Sequence, residues 1–254
     1  MKNILAITLS LFLYILTSAQ EFNGIEIGNQ GWMDGYLNVN KFRNGDDIPL
    51  AKTNEEWKKA GEQHQPAWCY YNSSSRYKLY NYWAVVDPRG IAPEGWKVPS
   101  KSDFEDLMTY LGDKWYCHLM SKSWPSEDTW GNEFGLGEDA CDACLNWSDE
   151  IKARQQCYRC SDKRVVMKQV EFPLDTYGFS AMPNDHRDDD GKTVGSYSND
   201  RFYVWTSTIK EQRVYKGRTI TEPYVFAICL GSLKGISVFN TYAGEGYHIK
   251  LIRE

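Results

Sequence analysis

Apolar positions in this chain come mostly in short runs broken by Gly, Pro, Asn and Asp, a pattern that predicts strands and turns with few helices. Gly24–Gly28 and Trp32–Asn40 read as opening strands, the second interrupted at Asp34-Gly35. Thr53-Asn54-Glu55-Glu56 is a capping box that starts a short helix through Trp57–Ala60, stopped by Gly61. A second helix follows Pro99. Ser100 stands three residues before Asp103, and Phe104, Leu107, Met108 and Leu111 fall at i, i+3, i+4 and i+7 ahead of Gly112. Tyr82–Val86 reads as a strand closed by the turn Asp87-Pro88-Arg89-Gly90. Later strands are expected at Phe202–Ser207, Tyr224–Leu230, Ile236–Tyr242 and Tyr247–Ile252. Two short helices early and a meander of strands late predict an α+β fold with an antiparallel sheet.

One apolar run is of another kind. Lys2 precedes Ile4–Leu16, and Thr17-Ser18-Ala19 closes that run with small residues, the order of a cleavable export signal too short to span a bilayer. Cleavage is expected after Ala19, which leaves 20–254 as a single domain working outside the cytoplasm, secreted, on the outer surface or periplasmic. No later stretch approaches eighteen apolar residues in succession, so no membrane span is expected in the mature chain. Ten Trp, 17 Tyr and 10 Phe make the chain rich in aromatic residues, while a net charge of -5 provides no basic face for nucleic acid.

Several ordered blocks resemble the Fibrobacter succinogenes major paralogous domain family. They are Gly28-Asn29-Gln30-Gly31-Trp32-Met33, Leu37-Asn38-Val39, Phe42-Arg43-Asn44-Gly45-Asp46, Pro66-Ala67-Trp68-Cys69-Tyr70-Tyr71-Asn72, Lys78-Leu79-Tyr80-Asn81 and Ala92-Pro93-Glu94-Gly95-Trp96-Lys97-Val98-Pro99. Tyr177-Gly178-Phe179-Ser180-Ala181-Met182-Pro183 and Trp205-Thr206-Ser207-Thr208 continue the match, which runs from about Ile25 to the C-terminus. The resemblance implies a C-type lectin-like domain, related in outline to formylglycine-generating enzymes, and it implies no activity. The family's closing segment appears here as Gly246-Tyr247-His248-Ile249-Lys250-Leu251, so its terminal cysteine is replaced by Leu251 and any bridge to it from Cys69 is lost. A Cys-rich loop insert at about 138–165 is a second departure.

That insert carries the strongest local chemical signal. Cys141 and Cys144, then Cys157 and Cys160, form two CxxC pairs separated by 12 residues, close to the spacing of a closed structural zinc site. The exported compartment favours two disulfides instead, and the residues leave both readings open. Cys69, Cys117 and Cys229 read as buried free thiols. His186 sits in Asn184–Gly191, a polar run whose Asp185, Asp188, Asp189 and Asp190 could give oxygen ligands to calcium, but it lacks the full calcium-loop spacing and reads as a solvated turn. No nucleophile elbow, His-Glu-x-x-His helix or phosphate loop occurs, so an enzyme is not expected. Trp68, Tyr70, Tyr71, Tyr82 and Trp83 read mainly as core, whereas Trp124, Trp130 and Tyr203 lie in less regular sequence and are expected to be exposed. Loops around Trp124–Trp130 and Asn184–Tyr203, with Asp188, are therefore the expected binding surface for a glycan or a surface protein. The alternative is a structural or assembly component of the bacterial cell surface that takes no small ligand.

Overall fold

The structure is a computed structural model, and it describes residues 24–71, 77–112, 115–121, 175–194, 201–215, 218–229 and 238–254. Chain order gives β1 (Gly24–Ile27), β2 (Gln30–Met33), α1 (Asn54–Glu62), β3 (Trp68–Tyr70), β4 (Lys78–Asn81), α2 (Tyr82–Val85), β5 (Trp96–Lys97), α3 (Lys101–Leu111) and α4 (Trp115–Leu119). It continues with β6 (His186–Arg187), β7 (Thr193–Val194), β8 (Arg201–Tyr215), β9 (Arg218–Cys229), β10 (Val238–Asn240), β11 (Gly246–Tyr247) and β12 (Ile252–Arg253). Short antiparallel strands and a few short helices dominate, as the α+β reading expects. Four helices lie among the described residues where two were expected.

Local chemistry explains the helices. Thr53 and Ser100 each accept a hydrogen bond from the backbone N–H three residues on, and Glu56 and Asp103 reach back to the cap backbone, so both boxes satisfy donors the first turn leaves open. Phe104 and Leu107 are buried on the inner face of α3, with Met108 and Leu111 half-buried beside them. Gly112 ends that helix at φ 71, a left-handed conformation that suits glycine. Tyr82–Val85 corrects a strand expectation. Its aromatic and β-branched residues suit a strand, yet Asn81 accepts from the Ala84 N–H and caps one helical turn there.

Three sheets are formed: β1-β2-β12-β5, β10-β9-β8 and β3-β4-β11-β6-β7. In the first, Ile252 of β12 pairs with Trp32 on one side and Lys97 on the other, tying the last residues to the first strands. The β8–β9 pair separates two cores. Tyr203, Trp205, Val225 and Ala227 face a core with Tyr80, Tyr82 and Tyr247, while Phe202, Val204, Phe226 and Ile228 face one with Trp32, Phe104 and Phe179. In the second core Phe104 stacks on Phe226 with centroids 4.1 Å apart. Gly246 is required by close approach, since a Cβ there would lie 2.7 Å from the Trp57 ring. Among the described residues no helix is long and apolar enough to cross a membrane.

Candidate functional site

The β3–β4 hairpin builds the best-supported candidate surface. Its register pairs Trp68 with Tyr80, Cys69 with Leu79 and Tyr70 with Lys78. A period of two then puts Trp68, Tyr70, Lys78 and Tyr80 on one face, with Cys69 and Leu79 on the other. The inner end of the first face is fixed. The Trp68 indole donates to the Ile48 carbonyl at 2.9 Å, and the Tyr80 hydroxyl donates to the Val39 carbonyl at 2.7 Å. Its outer end is open to solvent: Tyr70 is 48% exposed and stands edge-on to Trp68, centroids 5.1 Å apart. The Lys78 ammonium lies 4.3 Å over the Trp68 ring, and burial holds its pKa below the ordinary lysine value.

Two more tyrosines frame the hairpin tip. Tyr77 is 42% exposed and packs edge-on against Tyr36, whose ring is stacked on buried His248 at 4.5 Å. Tyr71 donates a hydrogen bond to the Asp185 carboxylate, and that bond, with burial, pushes its phenol up to about 12. The same bond fastens the segment leading into β6 to the end of β3. Open rings held edgewise on buried ones can stack on an apolar ligand face with little loss of rotamer freedom. Asp185 sets a carboxylate beside them, while Lys78 is itself buried over the Trp68 ring.

The residues singled out in the sequence fall differently. Asp188 closes the β6–β7 turn, its carboxylate accepting from the Lys192 N–H at 2.7 Å, and Asp190 pairs with Lys58 at 2.7 Å. Among the described residues no three His, Cys, Asp or Glu side chains converge as a metal site. Tyr203 is not exposed: it is 7% accessible, edge-on to Phe239, His186 and Tyr247, because β8 is covered on both faces at that point. His186, just before the acidic turn, stacks on Tyr247 with centroids 5.0 Å apart, so the turn that carries Asp188 leads out from the Tyr203 cluster without joining it. Trp124, Trp130, Cys141, Cys144, Cys157 and Cys160, with the whole of 138–165 and the export signal 1–19, lie outside the described residues.

Cys69 is buried and free, its thiol pushed up by burial against the opposing pull of Arg187. Trp68 and Tyr82 are core, as expected, whereas Tyr70 of the same group is exposed; Tyr77, Tyr110 and Tyr242, which the sequence did not single out, are exposed as well. Trp68 and Tyr70 share one face of β3, so a two-residue alternation does not separate them; the exposure of Tyr70 goes with its place at the outer end of that strand.

The family model described as the Fibrobacter succinogenes major domain matches residues 25–249. No curated protein and no solved structure matches the chain.

Proposed function

The chain belongs to the Fibrobacter succinogenes major domain family, and from that premise we propose that it is a secreted or cell-envelope binding module that recognises a glycan through the tyrosines at the β3–β4 tip. The supporting observation is the set Tyr70, Tyr71 and Tyr77, two of them open to solvent and all three anchored on buried rings or on Asp185. A C-type lectin-like arrangement of the sheets, implied by the family resemblance, belongs to the same proposal, as does export under the signal at 1–19. Calcium has no part in this reading, since Asp188 and Asp190 are engaged in the β6–β7 turn and with Lys58.

A glycan array probed with the chain lacking residues 1–19, with and without chelator, tests it. Binding is expected in both conditions, and binding lost with chelator would return the acidic turn to the site. Each of Tyr70→Ala and Tyr77→Ala is expected to weaken a positive glycan about tenfold, the cost of about 1.4 kcal/mol that one well-placed interface tyrosine carries.

Cys141, Cys144, Cys157 and Cys160 are proposed as a closed zinc site on their spacing alone. Metal analysis of the purified chain is expected to give near-stoichiometric zinc. Absence of zinc, with thiols unreactive until reduced, would assign two disulfides instead.

A further inference from the structure

The β8–β9 pair continues beyond the two cores as a ribbon, with Glu211 opposite Glu222, Gln212 opposite Thr221, Arg213 opposite Ile220 and Val214 opposite Thr219. Every residue of β8 from Ile209 to Val214 is exposed, and Val214 is 75% accessible, the highest value among the large apolar side chains described. The inner part of β8 is covered along its outer edge: the Trp205 N–H donates to the His248 carbonyl at 2.9 Å and the Ser207 N–H to the Pro99 carbonyl at 2.8 Å. On the other flank, Thr241 and Ala243 donate to the carbonyls of Pro223 and Thr221 at 3.0 and 3.2 Å, bracing β9. From Ile209 to Tyr215, no backbone partner lies on the outer edge of β8 among the described residues. Irregularities in register at Ile209 separate this segment from the buried strand before it.

An open edge of that length is a template for another strand. The charges on this edge choose the occupant. Read antiparallel against itself about Gln212, the segment Ile209-Lys210-Glu211-Gln212-Arg213-Val214-Tyr215 sets Glu211 opposite the second copy's Arg213, twice by symmetry, and Lys210 opposite Val214. This register uses the whole open edge; moving its centre to Arg213 would oppose two arginines. The side chains are placed for it. Arg213 lies 2.8 Å from Glu222 and 3.7 Å from Glu211 of its own chain, yet Arg213 and Glu211 keep about half of their side-chain surface open, at 51% and 47%. Charged edge residues normally repel foreign strands, and here they do so while remaining complementary to themselves.

We propose that the free edge of β8, Ile209–Tyr215, pairs antiparallel with the same edge of a second copy, joining two chains across a twofold axis at Gln212. Sedimentation velocity on the chain lacking residues 1–19 tests this. A concentration-dependent dimer is expected in the micromolar range for the native sequence. Glu211→Arg and Arg213→Glu each turn both symmetric contacts into repulsions and are expected to weaken the dimer at least tenfold, about 0.7 kcal/mol for each of two reversed pairs. Mixing the two variants puts arginines on one chain against glutamates on the other, so the dimer is expected to return as a heterodimer. A native chain that stays monomeric throughout that range, variants that dimerise as well as it does, or a mixture that fails to recover would each overturn the proposal. Circular dichroism of the variants checks that the fold is kept.

Discussion

Replacing Lys250 by Met is expected to make the protein more stable at pH 6 by about 1–4 kcal/mol, the range seen when buried charged groups give way to packed apolar ones. Lys250 is 2% exposed, and its ammonium donates to the Gly35 carbonyl at 3.2 Å and lies 4.4 Å over the Phe179 ring. Its site is fixed by the backbone: the Met33 N–H donates to the Leu251 carbonyl at 2.9 Å and the Leu37 N–H to the Ile249 carbonyl at 2.8 Å, so the side chain between must point inward. Burial is the largest influence and depresses the amine from 10.5 to about 7, against the weaker pull of Asp34 and Asp175.

The sign follows from linkage. Between about 7 and 10.5 the unfolded chain holds a proton that the folded one has lost, so stability rises with pH through that window. The full cost of burial, on the order of 5 kcal/mol at 1.36 kcal/mol per pH unit, applies below about pH 7. Above about pH 10 the buried phenols of Tyr36, Tyr80 and Tyr82, all raised by burial, add an opposing slope. At the acid end His248, buried and depressed from 6.5 to about 4, keeps its neutral ring in the fold, and stability falls as pH drops through that interval. Urea unfolding of both proteins from pH 6 to 9.5 is the check: the native curve should climb toward that of Lys250→Met, and parallel curves would show that the lysine is charged throughout.

Trp205→Ala is expected to cost about 3–5 kcal/mol, enough to bring a domain of ordinary stability close to unfolding. The ring is fully buried in the first core, 4.8 Å and edge-on from Tyr247 and 5.3 Å from Tyr82. Its indole donates to the Tyr80 carbonyl at 2.6 Å, so truncation leaves both a cavity and a buried acceptor short of a partner. That bond also joins β8 to β4, the strand behind the tyrosine tip, and the substitution should therefore loosen the candidate site as well as the core. Trp83→Phe is the matched control. Among the described residues its indole nitrogen is buried without a partner, so no hydrogen bond is lost and the cost, that of trimming a half-buried ring alone, should stay below that of Trp205→Ala. Equal losses from the two substitutions would contradict this assignment of roles.

How far the sequence foretold the structure depends on what each element answers to. Helices α1 and α3 were legible because Thr53 with Glu56 and Ser100 with Asp103 write their start signals into the chain, and Phe104 and Leu107 mark the inner face. Tyr82–Val85 was not, because a single capped turn is set by Asn81, whose side chain also accepts from the Ala67 N–H of a neighbouring segment. β8 was read only to Ser207. Its first half has no alternation because both faces are buried, and its second half has none because both are in water. Tyr203 was misplaced for the first reason, and the edge beyond Thr208, open among the described residues, went unseen for the second.

The candidate site was hidden in a similar way. Trp68, Tyr70 and Tyr71 are consecutive or nearly so and equally aromatic, yet one is core, one is open and one is bonded to Asp185, more than a hundred residues away in sequence. Where β3 leaves the core and which long-range partner a side chain meets decide such differences, and neither is written in the local sequence. The family, by contrast, was legible in full from its ordered blocks.

The most direct test is a paired glycan array of the native chain and the double variant Tyr70→Ala/Tyr77→Ala, both lacking residues 1–19 and with matched unfolding curves. Binding of at least one glycan by the native chain and its loss in the variant is the expected result. A native chain that binds no glycan, or one whose binding survives both substitutions unchanged, would contradict the assignment of the β3–β4 tip as the binding site.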